Sequence, residues 1–315
     1  MSSLRRNAWT LGLLAFLALL LAFTKIIQPN YGVTGVQGLA ISVLPLALAT
    51  VAQAIVVIAG GIDLSIGSIM ALTSVVSATL MKDQPEGFAF AVVALVLVLG
   101  LVLGAINGSL IVVTRVPDIV VTLAMSFVWA GCALLVLKTP GGGSAKWLKE
   151  LVKGAFVTEW LPMAAVVLLV IVAVIWIPVR RSRLGLSLFA IGSNRLAAFR
   201  SGVSVGRTRI LGYALMGLFA ALGGLSLTAS TGIGTPVPGP YTLMSVAAVV
   251  LGGVSLAGGR GGVFGPMVAV VILQMIRTDM TFLNVNSNLA VVLQGVILIG
   301  VVMIGSLVQI RRARA

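Results

Sequence analysis

The chain has 315 residues, of which 59% are hydrophobic and only 9% are charged, and it carries a net charge of +14. Soluble domains carry about a quarter of their residues as charges, so this composition excludes a soluble enzyme, a secreted disulfide scaffold and a disordered region. The sequence contains no His and a single Cys, Cys132. The chain therefore lacks the His and Cys residues that usually form metal clusters, disulfides and many catalytic sites. We expect no catalytic residue, no metal and no cofactor.

Apolar runs separated by turn residues and charges predict an all-α polytopic membrane protein with about ten transmembrane helices. One transmembrane domain then covers residues 1–315. The predicted spans are 9–27, 38–59, 63–81, 88–113, 117–137, 160–178, 208–230, 241–257, 262–280 and 288–308. Arg5 and Arg6 before the first span also resemble the start of a signal peptide. No small-x-small cleavage site follows them, which favours an uncleaved first helix.

The distribution of Lys and Arg predicts the orientation in the membrane, because short cytoplasmic loops are enriched in these residues. With the N-terminus inside and the loops alternating, 14 of the 21 Lys and Arg residues fall on the inner side and 7 on the outer side. Both the N- and C-termini are therefore predicted to be cytoplasmic. In a soluble protein a charge of +14 would suggest nucleic acid as a partner. Here it is an orientation signal, and no nucleic-acid partner is expected.

Two polar segments are longer than tight turns. The outer loop, about 138–159, predicts an irregular stretch followed by a short amphipathic helix at the interface. It serves either as a connector or as a docking surface for an external partner. The inner loop, about 179–207, predicts a short basic helix at 193–201, with Asn194 or Ser193 as its N-cap and Gly202 as its C-terminal stop. The residues alone leave open whether anionic membrane lipid or another protein holds this helix.

Four segments resemble those of the sugar-type permeases of bacterial ABC importers, the ribose/xylose/autoinducer group. Residues 60–68 read GGIDLSIGS and resemble the family's IDLSVGS-type segment. Residues 190–203 read AIGSNRLAAFRSGV and resemble its G-x-N-x-x-A-A-x-x-x-G-I element. Residues 116–123 resemble its VP…TLG segment, and residues 258–265, GGRGGVFG, match its glycine-rich turn. The segments occur in order across most of the chain, although Ala124 and Val203 stand where the family has Gly and Ile.

The resemblance implies a permease subunit that pairs with a second permease, identical or different, to enclose a pathway for a monosaccharide or a related small polar solute. It also implies a cytoplasmic ABC ATPase, a periplasmic solute-binding protein and the bacterial inner membrane. The chain has no G-x-x-x-x-G-K-[ST] phosphate loop, so ATP hydrolysis is expected on a separate subunit. Nucleosides or amino acids are the alternative substrates. An ion-coupled secondary transporter is the rival class, and it usually needs ionisable residues within the membrane.

On this resemblance, the helix at 193–201 is the expected contact for the ATPase. Asn194 would cap it, Ala197 and Ala198 would form a low-profile contact face, and two arginines would pair with acidic or carbonyl groups of the ATPase. The predicted coupling residues are Gly192, Ser193, Asn194, Arg195, Ala197, Ala198, Arg200 and Gly202.

Polar and aromatic residues inside the predicted spans are candidates for the transport pathway. Asp63 could cap the third helix or take part in gating. Spacings of four and three place Thr122, Ser126 and Trp129 near one face of the fifth helix. The resemblance also points to this helix, because related importers line their pathway with it. Interhelical hydrogen bonding is the alternative role. The pathway candidates are Asp63, Asn107, Thr122, Ser126 and Trp129, and Gln53, Gln274 and Gln294 share their polar character.

Glycines predict two further features of the bundle. Gly100, Gly104 and Gly108 form successive small-xxx-small steps that favour close helix packing. The breaks at Gly60-Gly61 and at Gly232–Gly239 lie five predicted helices apart. This spacing favours an inverted repeat of five plus five helices.

Overall fold

The computed structural model describes residues 3–237 and 239–286, together with isolated positions between 289 and 303. Over this part of the chain all regular secondary structure is helical. The helices are α1 Ser3–Ile27, α2 Val33–Ile58, α3 Ile66–Met81, α4 Phe88–Thr114, α5 Asp118–Val136, α6 Lys146–Lys153, α7 Met163–Arg181, α8 Arg183–Ser193, α9 Arg195–Arg200, α10 Val205–Thr231, α11 Tyr241–Leu251 and α12 Phe264–Phe282. The tenth predicted span, 288–308, lies outside the described residues except for the isolated positions, and Gln294 lies outside them too.

Each of the nine earlier predicted spans coincides with a helix, but not every helix has spanning length. Among the described residues, six helices are long and apolar enough to cross a membrane, namely α1, α2, α4, α5, α7 and α10. The predicted start at residue 63 and the predicted end at residue 257 are wrong. Residues 59–65 are not helical, and α11 ends at Leu251 because Gly252-Gly253 follows and Gly253 has φ of +81°.

Two non-helical joints separate long helices from short ones. Residues 59–65 connect the 26-residue α2 to the 16-residue α3, and residues 232–240 connect the 27-residue α10 to the 11-residue α11. The first turns of the two short helices touch, because the Gly67 N–H donates a hydrogen bond to Thr242 Oγ1 at 2.9 Å. The N-terminal ends of the two short helices therefore meet inside the bundle.

The centre of the bundle is formed by α2 and α10. Helix α10 packs along α4, α2 and α3, while α2 also packs on α11 and α12. The contact between α4 and α10 confirms the predicted glycine packing. A Cβ atom on Gly104 would collide with the carbonyl oxygen of Tyr213, and one on Gly108 would lie 2.9 Å from Ile210 Cα. The two backbones therefore approach more closely than any larger residue permits.

The inner loop of the sequence prediction contains two helices rather than one. Helix α7 includes a π-helical turn at Val172–Trp176, directly before Pro178, whose nitrogen cannot donate an intrahelical hydrogen bond. Ser182 then interrupts the chain and caps α8 by accepting the Gly185 N–H at 3.4 Å. The helix α9 follows α8 after a single residue, Asn194.

The opposite loop contains the predicted short amphipathic helix, α6. Its N-terminus is held by Glu86, whose carboxylate oxygens accept the Lys146 N–H at 3.0 and 2.9 Å. The Trp147 ring stacks on Phe90 with centroids 4.5 Å apart. Leu148 lies buried against the bundle. This helix therefore packs onto the bundle, against α10 and α7, rather than lying free in solvent.

Candidate functional site

The short helix α9 lies on the surface at one end of the bundle. Asn194 caps it, because the side-chain oxygen accepts the Ala197 N–H at 2.9 Å. Gly202 follows its end with φ of +84°, a conformation that favours glycine. The predicted cap and stop are both confirmed.

The exposed face of α9 differs from the predicted one. Ala198 is only 6% exposed, because the chain folds back beneath it and the Val203 N–H donates to the Ala198 carbonyl at 3.0 Å. Ala198 therefore cannot form an outward contact face together with Ala197, and that part of the prediction is wrong. The exposed residues of the face are instead Leu196 at 59% and Phe199 at 66%, beside Ala197 and the exposed arginines Arg195 and Arg200.

Residues from three of the four sequence motifs converge directly before α9, in a contact that we call the glycine junction: Gly60, Gly192, Gly258 and Gly259. The Gly259 N–H donates to the carbonyl oxygen of Ile58 at 2.9 Å. A Cβ atom on Gly192 would collide with that same carbonyl, and one on Gly258 would lie 2.9 Å from Gly60 Cα. Backbone packs on backbone here, so only glycine fits.

Four of the five pathway candidates lie close together in one buried cluster, the Asp63 network, which consists of Asp63, Ser65, Asn107, Thr122 and Trp129. Asp63 Oδ1 accepts the N–H and the hydroxyl of Ser65, both at 2.6 Å. The Asn107 amide nitrogen donates to Ser65 Oγ at 2.8 Å and to Asp63 Oδ2 at 3.4 Å. Trp129 Nε1 donates to the Asn107 amide oxygen at 3.2 Å.

The Asp63 network satisfies the backbone of the joint between α2 and α3. Thr122 Oγ1 accepts the Leu64 N–H at 3.0 Å, and Asp63 accepts the Ser65 N–H. Buried non-helical backbone needs such partners, because an unpaired N–H or C=O group away from water costs free energy. Asp63 does not cap α3 in the predicted sense, since it accepts the N–H of a residue that precedes the helix. The first turn is served by Thr242, through Gly67.

An ion pair lies on the other side of the same joint. Arg209 of α10 pairs with Asp118 at the start of α5, and the Tyr213 hydroxyl donates to the second oxygen of Asp118 at 2.7 Å. A Cβ atom on Gly61 would collide with the Asp118 carboxylate and lie 2.9 Å from the Tyr213 hydroxyl. The cavity beside this cluster has a volume of about 10 Å³, which is room for about one water molecule and not for a sugar.

Three other polar candidates lie apart from the Asp63 network. Ser126 shares its face of the continuous helix α5 with Thr122 and Trp129, as predicted. It is partly exposed, however, and donates to the Leu123 carbonyl of its own helix at 2.6 Å rather than to the network. Gln274 donates to the Ser42 carbonyl at 2.9 Å and thereby ties α12 to α2. Gln53 is buried in α2, and among the described residues its amide finds no hydrogen-bond partner.

Several residues of these clusters were not singled out as site residues in the sequence. Ser65 stands two positions after Asp63 in the same motif, a spacing typical of an Asp side chain that accepts the N–H two residues on. Arg209 and Tyr213 carry no comparable local signal, because their partner Asp118 is distant in sequence. Among the described residues, no group of three or more His, Cys, Asp or Glu could hold a metal ion.

The chain is similar to several curated permeases. The ribose import permease protein RbsC of Escherichia coli (strain K12) is 29% identical over 310 residues, 95% of this chain and 94% of that protein. RbsC of Bacillus subtilis (strain 168) is 31% identical over 256 residues, 78% of this chain and 76% of that protein. The galactose/methyl galactoside import permease protein MglC of E. coli (strain K12) is 32% identical over 276 residues, 81% of each chain.

No solved structure matches the chain. The profile of the family described as branched-chain amino acid transport system / permease component matches residues 35–302. This match includes α2 to α12 and all four of the motifs identified in the sequence. The chain belongs to this family of permease components.

Proposed function

We propose that this protein is the permease subunit of an ATP-driven sugar importer. The observation that carries this function is the similarity to ribose and galactose permeases along most of the chain. The protein is a transport component rather than an enzyme and is located in the bacterial inner membrane. It works with a cytoplasmic ABC ATPase, a periplasmic solute-binding protein and a second permease subunit. The relatives named above are sugar permeases, so they give no support to nucleosides, amino acids or an ion-coupled mechanism.

The proposed architecture is a single transmembrane domain over residues 1–315, with ten spans and both termini in the cytoplasm. The arrangement of the two joints supports an inverted repeat of five plus five helices. In each half a long helix, α2 or α10, precedes a joint and a short helix. Each long helix packs on the short helix of the opposite half and on the helix after it. This reciprocal packing is the pattern that two-fold repeats produce.

The proposed coupling element is α9, within the inner loop at 179–207. With both termini in the cytoplasm, the arginines of α9 face the cytoplasm as well, as the positive-inside rule requires. The exposed pair Leu196 and Phe199 would fill an apolar groove on the ATPase, with Ala197 allowing close approach and Arg195 and Arg200 pairing at the rim. The anionic lipid headgroups of the inner leaflet lie near the remaining arginines of the loop.

The proposed pathway passes beside the joint between α2 and α3, where Asp63, Asn107, Thr122 and Trp129 lie together. Hydroxyl, amide and indole groups are the partners that a neutral sugar needs. Here these side chains satisfy one another and the joint backbone. The structure would thus represent a state in which this part of the pathway is closed.

Reconstitution tests the proposed function directly. The full chain is placed in liposomes with its ATPase and its binding protein, and uptake of radiolabelled ribose and galactose is measured with and without ATP. We expect uptake of one of these sugars that requires both ATP and the binding protein. Uptake by the chain alone under an ion gradient, or uptake of amino acids in place of sugars, would overturn the proposal.

A further inference from the structure

We propose that the glycine junction is the element that transmits movement of α9 to the joint between α2 and α3 and to the turn after α11, with Gly192, Gly258 and Gly259 as positioning residues. This inference rests on the proposed function, because it takes α9 as the contact for the ATPase. It assigns a role to glycines that do not touch the transported solute. Three observations carry it: the contact is direct, it begins next to α9, and it reaches both the joint after α2 and the turn after α11.

The contact is made mainly by backbone atoms, with the short Ser193 side chain beside Gly259. A Cβ atom added to Gly192 would collide with the Ile58 carbonyl and would lie 2.6 Å from the Gly259 nitrogen. One added to Gly259 would lie 2.6 Å from Ser193 Cα. Side chains can absorb a displacement by changing rotamer, whereas close-packed backbone shifts together. A displacement at this point is therefore passed on rather than dissipated.

The junction begins directly next to α9. Gly192 and Ser193 are the last residues of α8, and the next residue is the Asn194 cap of α9. There is no linker between the exposed helix and the buried contact. A force on α9 consequently acts on the Gly192 backbone first.

The other side of the junction reaches the joint between α2 and α3 and the turn after α11. Ile58 and Gly60 belong to the end of α2 and the start of the joint that contains Asp63. Gly258 and Gly259 belong to the turn after α11, which is closed by a hydrogen bond from the Ser255 N–H to the Arg260 carbonyl at 3.1 Å. The joint after α2 and the turn after α11 thus receive one common input through a single contact.

The α11 turn is also held from a second direction. Trp9 Nε1 donates to the Leu251 carbonyl at 2.8 Å, and a Cβ atom on Gly253 would lie 2.7 Å from the Trp9 ring. The turn is therefore fixed to α1 and to α2 at once. Such a turn moves as a unit with α11, whose first turn contacts Gly67 of α3 through Thr242.

The test compares basal ATP hydrolysis with hydrolysis stimulated by the binding protein in the complete transporter in liposomes. The binding protein is loaded with ribose or galactose, whichever the unaltered chain transports. We expect the ratio of stimulated to basal hydrolysis to fall by about tenfold or more in Gly192→Ala, as overpacking of a coupling contact predicts. The matched control is Gly38→Ala, also inside a helix, where an added Cβ atom meets nothing within 4 Å.

If Gly192→Ala does not assemble with the ATPase, a second pair of variants tests the role of the glycine junction. Gly60 and Gly232 have φ of +82° and +84°, and an added Cβ atom makes only ordinary contacts at 3.6 and 3.9 Å. Backbone strain is therefore equal in Gly60→Ala and Gly232→Ala, but only the first lies in the junction. We expect Gly60→Ala to lose the stimulation by the binding protein and Gly232→Ala to retain it.

The outcomes distinguish a junction that transmits movement of α9 from one that only stabilises the fold. Reduced packing lowers the amount of intact transporter, so basal and stimulated hydrolysis would fall in proportion, and that result would overturn the inference. Retained stimulation in the junction variants would overturn it as well. Absence of stimulation in the unaltered transporter would instead contradict the proposed function itself, which keeps the two failures distinct.

Discussion

Removal of the Asp63 carboxylate is expected to destabilise the joint between α2 and α3 by an amount that the hydrogen bonds determine. In Asp63→Ala, the Ser65 N–H and hydroxyl lose an acceptor at 2.6 Å, and Asn107 loses one at 3.4 Å. The Ser65 hydroxyl can rotate to another acceptor, but the buried N–H cannot. An unsatisfied buried donor costs about 1–3 kcal/mol, so a total of about 2–5 kcal/mol is expected.

The variant Asp63→Asn separates the hydrogen bonds from the charge. Its amide oxygen can still accept both bonds from Ser65, but its NH₂ group then faces the Asn107 amide nitrogen. Asn107 cannot turn over freely, because its oxygen accepts the Trp129 indole N–H at 3.2 Å. Only the 3.4 Å hydrogen bond from Asn107 is lost, so we expect a destabilisation of about 1 kcal/mol.

The assay is the free energy of unfolding of the purified full-length chain in detergent, followed by circular dichroism, with sugar uptake measured in parallel. Ser126→Ala serves as the control and should change stability by less than about 0.5 kcal/mol, since Ser126 bonds only within its own helix. Equal stability of Asp63→Ala and Asp63→Asn would refute this reasoning. A folded Asp63→Asn variant without uptake would show that the carboxylate also has a part in gating.

Three further predictions concern the ion pair, α9 and the helix packing. Tyr213→Phe should lower the free energy of unfolding by about 1–2 kcal/mol, because Asp118 loses the hydroxyl donor. Phe199→Ser should leave stability unchanged, since the ring is exposed, but weaken binding of the ATPase about tenfold or more in a co-purification titration. Gly104→Ala should destabilise the chain by about 1–3 kcal/mol through collision with the Tyr213 carbonyl, measured by thermal unfolding.

The Phe199 and Gly104 predictions each have a matched comparison within the chain. Leu186→Ser on α8 alters a side chain that is 65% exposed, nearly as much as Phe199, and it should not affect ATPase binding. Gly131→Ala in α5 adds a methyl group with no neighbour within 4 Å and should leave stability unchanged. An equal effect of the two serine variants would contradict the contact face proposed for α9. A neutral Gly104→Ala would contradict the close approach of α4 and α10.

Much of the fold was predictable because its signals are local. Apolar runs located nine of the helices, and Asn194 and Gly202 marked the ends of α9 through their own backbone preferences. The glycine steps on α4 were also predictable, since residues four apart share one face of a helix. In each case the relevant residues lie within about one or two turns of each other.

The features that sequence could not supply depend on contacts between distant segments. Nothing local indicates that Gly60, Gly192 and Gly258 meet, because each is only one glycine in a chain with 37 of them. The burial of Ala198 rather than Ala197 likewise depends on how the chain folds back at Val203. Neighbouring alanines have the same propensity, and only tertiary contacts distinguish them.

The two roles considered for Asp63, structural and gating, become compatible once the Asp63 network is seen to satisfy the backbone of a joint. If that joint moves during transport, the same hydrogen bonds must break and form again. A network worth a few kcal/mol therefore sets part of the free-energy difference between the closed and open states. The ATPase can shift that equilibrium only by binding α9 more tightly in one state than in the other. The glycine junction lies between α9 and this joint. It would therefore link the free energy of ATPase binding to the free-energy difference that the Asp63 network sets.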